Sequence, residues 1–391
     1  MSKPTELISA LEGIGAEDFK SNDGDRLRLV EAAKKFLSRV ETKEERLFDI
    51  TFGQPIVFAA LKTLLDLGLW KKWATSDDAP KSVNELSELC TPKCEPNLLR
   101  RLLRLLASVY IVTEAGEDQY RMTSLWLGSS WQWLQSRTHH WDPVCINLPS
   151  FLEKTGYKEP QDVKSTNYSD WCPGNLDFFG KCVADPPYQD SFSGFMTAWG
   201  RHKVPWPQFY DTSSLVDGAD LSNGGVLCVD IGGHHGIDIT RLLDKHPDIP
   251  AGSLVLQDLP EVLAGAKDLH GKIRAMPHDL FQPQPVKGSR SYYMHAVLHD
   301  WPDAAATTII KNIAGAMTKG YSKLLIVDIV LPPTGASSIQ ATMDVEMMAA
   351  LSAYERTESM WRKLISDSGL KVIKIWQDGR KNECLVEAEL A

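Results

Sequence analysis

An α/β fold with a parallel sheet is predicted for the C-terminal half of the chain, and two observations predict it. First, the apolar, β-branched run 226–231 opens onto the glycine-rich turn 232–236, and a helical pattern follows through Leu242 and Leu243. Second, a further strand, 253–257, stops at Asp258, about 20 residues beyond the glycines. An acid there can accept hydrogen bonds from ribose hydroxyls, so a nucleoside-containing ligand is the first hypothesis.

Strand and helix patterns continue to alternate up to the C-terminus. The predicted strands are 273–279, 291–298 and 323–331, followed by 370–376 and 383–387 as a late antiparallel pair, with a helix at 304–317. Asp230, Asp258 and Asp279 all fall at predicted strand ends, where open α/β sheets bind their ligands. This placement favours a nucleotide-type site over a glycine turn that serves geometry alone.

The N-terminal part is predicted to be mostly helical. Helices are expected at 5–11, 25–41 and 58–70, and the last is more apolar than a lone surface helix needs, which indicates either deep core or a subunit interface. Ser82 caps a helix at 82–89, and a second helix at 95–109 precedes a hairpin at 110–122. Two helices and a hairpin make a winged-helix shape, but acids surround its basic cluster, which favours a structural role over DNA binding.

Composition limits the partners and the compartment. The 391 residues carry a formal net charge of −9, which disfavours nucleic acid or an anionic membrane surface and favours a small-molecule ligand. Seven scattered cysteines lack zinc-site spacing, so reduced thiols and no metal are expected. No secretory signal and no run of about 18 apolar residues is visible, which predicts a cytoplasmic protein.

Five motifs resemble one known family. Val229-Asp-Ile-Gly-Gly, Leu256-Gln-Asp-Leu-Pro, Met276-Pro-His-Asp, Leu298-His-Asp-Trp-Pro and Tyr354-Glu-Arg-Thr-Glu have the order and spacing of the fungal relatives of plant caffeic-acid-type O-methyltransferases. The resemblance covers nearly the whole chain. It implies a Rossmann-like class I methyltransferase fold, which binds S-adenosylmethionine (SAM), and an N-terminal winged-helix domain that forms a homodimer.

Three domains follow from this resemblance and from the composition of the chain. Residues 1–124 are the predicted helical dimerisation domain, and residues 125–218 are an aromatic-rich connector that caps the substrate. Residues 219–391 are the predicted Rossmann-like catalytic domain, because the stretch 217–225 is rich in Gly, Asp, Ser and Asn and has no apolar period.

His299 is the predicted general base. It follows a strand end, and an imidazole can take a proton from a phenol or enol near neutral pH. The alternative is a capping pair in which Asp300 caps the next helix, and Asp300 is expected to be structural. The resemblance implies two acids beside the histidine: Glu355 matches one, and Asp328 stands at the other, one methylene shorter than the usual glutamate.

The predicted cofactor residues are the three strand-end acids and the glycines of the turn: Asp230, Asp258, Asp279, Gly232, Gly233 and Gly236. The sequence departs from the family at His234, which stands where the resemblance implies a third glycine. A side chain at that point is expected to intrude on the methionine end of the SAM pocket, because glycine serves there for close approach and positive φ. The alternative is that the backbone tolerates it.

A substrate wall is predicted from the aromatic connector and one methionine-rich helix. Phe195, Met196 and Trp199 are candidates for this wall, although aromatics at helical spacing are more often plain core. His139 and His140 face either the cleft or the surface. Met347 and Met348 are candidates because methionine suits an apolar ligand wall.

Three functions are compatible with these features. A substituted SAM cradle beside an intact His299 narrowly favours an O-methyltransferase-like pericyclase of fungal secondary metabolism, which dehydrates an alcohol to a quinone methide and closes a ring by an Alder-ene or hetero-Diels–Alder reaction. The second is SAM-dependent methylation of a phenolic or enolic hydroxyl. The third, a winged-helix regulator without activity, is disfavoured by the acidic charge.

Overall fold

The structure is a computed structural model that describes residues 3–19, 23–124 and 130–391. The chain divides into two compact units, Met1–Ala59 and Ala60–Ala391. The described part of the first unit is helical, and α4 continues past its end. Its helices are α1 (Lys3–Glu12), α2 (Asp23–Val40), α3 (Lys43–Phe48) and α4 (Gln54–Asp66), with a π-helical turn at Asp49–Gly53 between the last two.

One continuous helical stretch, Lys43–Asp66, is long and apolar enough to cross a membrane by length and composition alone. Its best window has a mean hydropathy of 1.2 and is 11% buried. The stretch passes on average hydropathy, whereas the expected absence of a run of about 18 apolar residues holds, because Asp49, Gln54 and Lys62 interrupt it. One such helix is weak support for a membrane span.

The predicted helix 58–70 is two helices in the structure. α4 ends at Asp66, and a new helix begins at Leu69 after Gly68, whose φ of +68° lies in the left-handed region that ends helices. Three helices follow: α5 (Leu69–Ala74), α6 (Val83–Leu89) and α7 (Pro96–Ser108). Three short strands form a small sheet in the order β1-β3-β2: β1 (Lys81–Ser82), β2 (Val112–Gly116) and β3 (Gln119–Met122).

Two signals in the sequence set this part of the fold. Ser82 caps α6, as the sequence predicts, and Glu85 completes a reciprocal capping box with it. In α7 the leucines recur at helical spacing, and Leu99, Leu103 and Leu106 are buried. The two helices and the hairpin of β2 and β3 follow one another in the order expected of a winged-helix module.

A helical connector leads to the sheet. Its helices are α8 (Ser130–Ser136), α9 (Asp142–Lys154), α10 (Asn167–Trp171), α11 (Phe178–Ala184), α12 (Pro186–His202) and α13 (Thr212–Asp217), with a π-helical turn at Arg137–Trp141. The aromatic side chains of this connector pack on α17 (Ser338–Leu351) and form one hydrophobic cluster. The domain boundary predicted at residue 125 lies in a stretch outside the described residues.

The C-terminal half is a seven-stranded sheet in the order β11-β12-β8-β7-β4-β5-β6. Five strands are parallel: β4 (Cys228–Ile231), β5 (Leu254–Asp258), β6 (Ile273–Pro277), β7 (Ser291–His295) and β8 (Lys323–Asp328). The late strands β11 (Leu370–Gln377) and β12 (Cys384–Leu390) are antiparallel, which confirms the predicted hairpin. A separate parallel pair joins β9 (Val330–Leu331) to β10 (Arg356–Thr357).

Helices cover both faces of the sheet, as the buried strand runs require. Successive strand residues alternate between two cores, so that Val229 and Tyr292 lie in one and Cys228 and Tyr293 in the other. The covering helices are α14 (Ile237–Lys245), α15 (Pro260–Leu263), α16 (Asp303–Ala314) and α18 (Glu358–Asp367). The fold is the class I methyltransferase-like α/β fold that the sequence predicts.

Candidate active site

Three cavities lie at the carboxyl ends of the parallel strands. The aromatic cavity, of about 230 Å³, is walled by connector helices and α17. The aspartate cavity, of about 240 Å³, holds Asp258 and Asp279, and the glycine-turn cavity, of about 60 Å³, lies beside Gly233. Ala296, whose φ is +53°, lines all three. Met196 lines all three as well, so these two residues mark the place at which ligands in neighbouring cavities would meet.

His299 lies in a 3₁₀ turn, Leu298–Asp300, just beyond β7, and it lines the aromatic cavity. Its Nδ1 is 2.8 Å from Oε1 of Glu355 and 3.9 Å from Oδ1 of Asp328. Its Nε2 is 3.5 Å from Oδ1 of Asp300, which lines both larger cavities. The structure thus brings together the histidine and both acids that the sequence analysis singled out. Asp300 is a fourth member of the cluster.

The charges in this cluster are strongly coupled. Burial lowers the pKa of His299, but the carboxylates of Glu355, Asp300 and Asp328 outweigh burial and raise this pKa to about 10. Burial also raises the pKa of Asp328 to about 7 and that of Asp300 to about 6, while His299 opposes both shifts. At neutral pH the imidazole is therefore held as a cation among acids that share protons with it.

The alternative in which Asp300 caps the next helix is wrong. α16 begins at Asp303, and its N-cap is Pro302, which makes no side-chain cap hydrogen bond. The side chain of Asp300 instead turns back toward His299. The chain passes through Pro302 before it becomes helical, and this leaves Asp300 two residues too early to serve as the cap.

A short strand pair and one buried arginine hold the cluster together. The pairing of β9 with β10 aligns Arg356 with Val330, so the neighbouring Glu355 and Asp328 come to the same end of the sheet. Arg356, fully buried, donates to the carbonyl oxygens of Leu298 and Trp301 at 2.8 and 2.7 Å. These bonds clamp the two sides of the turn that carries His299.

Three glycines shape the turn after β4. A Cβ on Gly233 would lie 2.5 Å from the carboxyl carbon of Asp230, which leaves no room for any side chain. Gly232 and Gly236 have φ values of +69° and +77°, and added Cβ atoms there would lie 2.9 Å from Val297 and 2.8 Å from Leu269. Gly232 and Gly233 line the glycine-turn cavity, whereas Gly236 starts α14 outside the three cavity linings.

His234 fits into this turn without closing it. Its φ is +52°, so the backbone keeps the left-handed geometry that a glycine would give, and its ring stacks on His235 with centroids 3.8 Å apart. Its N–H donates to Oδ2 of Asp258 at 2.8 Å. The ring lines both the aspartate and the glycine-turn cavities, and burial lowers its pKa to about 3, so the imidazole is neutral.

The predicted strand-end acids divide between the cavities. Asp258 and Asp279 line the aspartate cavity, and Asp230 lines the glycine-turn cavity. Asp258 accepts from the backbone N–H groups of Leu259 and His234, each at 2.8 Å. Oδ2 of Asp230 is buried without a hydrogen-bond partner among the described residues, and burial raises the pKa of this acid.

Sequence analysis missed a buried ionic cluster beside the glycine turn. Nδ1 of His295 is 2.6 Å from Oδ2 of Asp238, and Nζ of Lys203 is 2.6 Å from Oε1 of Glu383. Nζ of Lys203 is 2.9 Å from Nε2 of His295. Both residues line the glycine-turn cavity together with Asp238. Burial and Lys203 lower the pKa of His295, but the two acids raise it to about 9. Only the position of His295, four residues before His299, hinted at this role.

The aromatic cavity contains most of the predicted substrate wall. Phe195, Met196, Trp199 and Met347 line it, as does Met343 on the same helix. Further aromatic lining residues that sequence analysis did not assign to the wall are Trp133, Trp141, Phe178, Phe179 and Phe192. Such a wall suits a flat, largely apolar molecule.

Three predicted substrate residues line none of the three cavities: His139, His140 and Met348. His140 is fully buried: its ring bonds the hydroxyl of Tyr168 and the carbonyl of Tyr188, each at 3.1 Å. His139 stacks on the ring of Tyr188. The π-helical turn places His140 in the aromatic core and leaves His139 half-buried beside Tyr188. This turn leaves no periodic signal in the sequence.

Comparison with known proteins identifies the family. A family model for the O-methyltransferase domain matches residues 211–371. O-methyltransferase ATR12 of Stachybotrys chlorohalonatus is 45% identical over 100% of this chain and 99% of its own length. The chain belongs to the fungal O-methyltransferase family. Another member, O-methyltransferase mfmE of Annulohypoxylon moriforme, is 35% identical over 100% of this chain and 96% of its own length.

Several solved structures show the same fold. LepI in complex with SAM superposes on this chain with a TM-score of 0.89 and 28% identity, over 99% of this chain and 100% of LepI. A structure described as a pericyclic reaction enzyme superposes with the same values. OxaC in complex with sinefungin and meleagrin has a TM-score of 0.84 at 23% identity, over 99% of this chain and 98% of OxaC, which supports the fold alone.

The residues of this fungal enzyme fit SAM. The three glycines whose added Cβ atoms would clash keep the turn open, and the aspartate cavity offers the Asp258 carboxylate at the end of β5. The unpartnered Oδ2 of Asp230 and the ionic cluster around Lys203 supply polar groups of both signs at the glycine-turn cavity. His234 contributes a neutral ring between the two cavities.

Proposed function

We propose that the chain is a SAM-dependent O-methyltransferase that acts on a phenolic or enolic hydroxyl of an apolar, aromatic natural product. One observation carries the proposal. His299 opens onto the aromatic cavity, while Ala296, Asp300 and Met196 line both the aromatic and the aspartate cavities. A hydroxyl at His299 therefore lies next to the place where the chain would hold SAM. When bound, SAM supplies an electrophilic methyl group.

The protein's own residues perform the proton transfer and the positioning. In the neutral form of His299, which becomes more abundant as pH rises, Nε2 takes the hydroxyl proton, and Glu355, hydrogen-bonded at Nδ1, stabilises the imidazolium that results. The same cation holds a substrate that enters already ionised as an enolate, because the raised pKa keeps His299 charged at neutral pH. The apolar wall excludes water and aligns the oxygen, and this alignment is the larger part of the rate gain in a transfer of this kind.

Asp258 and Asp230 would contact the ribose and methionine ends of SAM, and Asp279 lies in the nucleoside part of the aspartate cavity. His234 reduces the space between these parts without blocking the turn. We therefore propose methylation ahead of the pericyclase function that the sequence alone narrowly favours. The 45% identity to a relative named an O-methyltransferase supports the same order.

A pericyclase remains the second candidate, because His234 lines the cofactor cavities and a pericyclic reaction enzyme superposes closely on this chain. In this function protonated His299 donates its proton to a departing hydroxyl. The carbon–oxygen bond breaks and water leaves with the electron pair. A ring hydroxyl of the substrate then gives its proton to the neutral His299, which regenerates the imidazolium. The resulting quinone methide closes within the aromatic cavity, whose walls select the geometry.

Calorimetry with SAM, followed by turnover, tests the proposal. The wild type and His234→Gly are titrated with SAM, and both are then incubated with phenolic acceptors and assayed by mass spectrometry for the gain of one methyl group. We expect binding by both proteins and a loss of turnover of roughly 10²–10⁴-fold in His299→Gln. Binding that appears only in His234→Gly, together with dehydration of a benzylic alcohol by the wild type, would instead establish the pericyclase.

A homodimer and a cytoplasmic location are also proposed. The exposed apolar side chains of the Lys43–Asp66 stretch, among them Leu47, Phe48, Phe52 and Ile56, support a subunit interface. Light scattering at micromolar concentration would show twice the chain mass if this proposal is correct. A monomer would contradict it.

A further inference from the structure

We propose that Arg137 and Glu346 form a second polar subsite in the aromatic cavity, which binds an N–H or O–H donor of the acceptor molecule. The inference rests on the proposed methyl transfer and names its substrate class. The acceptor carries two polar groups on an apolar, aromatic body: the hydroxyl that reacts at His299, and a hydrogen-bond donor that binds Glu346.

The subsite is an ion pair between two distant parts of the chain. Arg137 is the first residue of the π-helical turn Arg137–Trp141, and Glu346 lies on α17. Nη1 of Arg137 donates to Oε1 of Glu346 at 2.7 Å, and both side chains line the aromatic cavity. Apart from His299, Asp300 and Thr342, the other described lining residues of this cavity are apolar. A pair of charged side chains in an otherwise mostly apolar wall can therefore bind one polar group of a ligand selectively.

The guanidinium of Arg137 is already engaged. Its Nε donates to Oδ1 of Asp142 at 2.7 Å, and its Nη2 contacts Sγ of Cys145 at 3.6 Å. The charge of Lys62 also acts on Asp142, so the carboxylates here are not balanced by Arg137 alone. Because protein groups already engage the guanidinium, a hydrogen-bond acceptor on a ligand would have to compete with them.

The polar atom without a partner at this end of the cavity is a hydrogen-bond acceptor. Oε2 of Glu346 is buried and has no hydrogen-bond partner among the described residues. Such an atom is costly to leave unpaired, and the terminal torsion of a glutamate is soft enough to turn this oxygen toward a ligand. A donor that reaches it would make a charge-assisted hydrogen bond inside an apolar wall.

α17 links the two polar ends of the cavity. It contacts both the 3₁₀ turn that carries His299 and the π-helical turn that carries Arg137. Between these ends its Met343 and Met347 line the cavity with apolar surface. One face of a single helix therefore defines where the apolar body of a substrate lies and how far apart its two polar groups must be.

A binding experiment tests the subsite without turnover. The probes are dihydroxynaphthalenes with different ring positions and their dimethyl ethers, and their binding is followed by quenching of tryptophan fluorescence in the wild type, Glu346→Gln and Asp142→Asn. Glutamine keeps an oxygen for Arg137 and turns an amide N–H₂ toward the cavity. Asp142→Asn changes the other partner of Arg137, which lies outside the lining of the cavity.

We expect the wild type to prefer at least one diol over its dimethyl ether, and Glu346→Gln to lose roughly tenfold to a hundredfold of that preference. Asp142→Asn should keep it. An equal preference in the wild type and Glu346→Gln, or an equal loss in both variants, would overturn the subsite. The proposed function is judged separately by methyl transfer: transfer without the Glu346 effect removes the subsite alone, and the Glu346 effect without transfer removes the methyltransferase alone.

Discussion

Replacing Glu355 by glutamine should shift the pH dependence of methyl transfer to lower pH. In the wild type the pKa of His299 is raised to about 10, so only about 0.1% of the imidazole is the neutral base at pH 7. Glu355 is the acid that contributes most to this rise, through a contact of 2.8 Å. A charge about 4 Å away is worth about 4 kcal/mol near a protein surface, or roughly 3 pKa units.

The direction of the shift in the pH profile follows from the role of His299 as a base. In the wild type, kcat/KM should rise about tenfold for each pH unit until the pH approaches the pKa of His299. In Glu355→Gln the plateau should begin near pH 7, although at a lower maximum, because the imidazole has lost the acid that orients it and stabilises its charged form. The matched control is Asp344→Asn, which alters the backbone contact of Glu355 but removes no charge from direct contact with His299.

Two measurements check this prediction. kcat/KM is followed from about pH 6 to about pH 11, and ¹⁵N-histidine NMR follows the protonation of His299 directly, with His299→Gln to assign its signals. Identical profiles in the wild type and Glu355→Gln would refute the electrostatic argument. A rate that falls as pH rises would refute the base itself, because it is what the acid role in dehydration requires.

Three further predictions concern the frame of the site. Ala296→Val should fill the junction of the three cavities and abolish SAM binding measured by calorimetry, whereas Ala296→Gly should retain it. Arg356→Met should lower the free energy of unfolding in urea by about 3–5 kcal/mol, because two carbonyls and Asp303 lose a buried charged partner. The pKa values of His295 and His299 are raised in the folded protein, so their protonation stabilises the fold fully below about pH 6.5, and this stabilisation is lost as pH rises through about 9 to 10. Tm should therefore fall over that pH range, and the fall should be less steep in His295→Gln.

Periodicity and glycine spacing were sufficient to predict the sheet. Each predicted strand of the C-terminal half overlaps an observed one, because a buried strand needs an uninterrupted apolar run and the turn after β4 needs glycine for steric reasons. The break at Gly68 was not predicted, because a leucine-rich helical pattern continues on both sides of it. The local hydrophobic pattern predicts which residues are buried, but it does not predict where the chain changes direction.

His299 and its acids were predictable because His299 and Glu355 lie in two of the family motifs and Asp328 ends a predicted strand region. Arg137 and Glu346 were not, since their contact joins residues 209 positions apart and neither position has a marked local pattern. The same reason applies to the pairing of Lys203 with Glu383. Ionic contacts between distant segments depend on packing that only the folded chain supplies.

The position of β12 has a consequence for synthesis of the protein. This last strand is not at the edge of the sheet but lies between β8 and β11, and Glu383 directly precedes it. The β8 edge of the parallel strands therefore stays open in a nascent chain until β12 has been synthesised. The ionic cluster at the glycine turn needs Glu383, so it too cannot form before this late segment has been added.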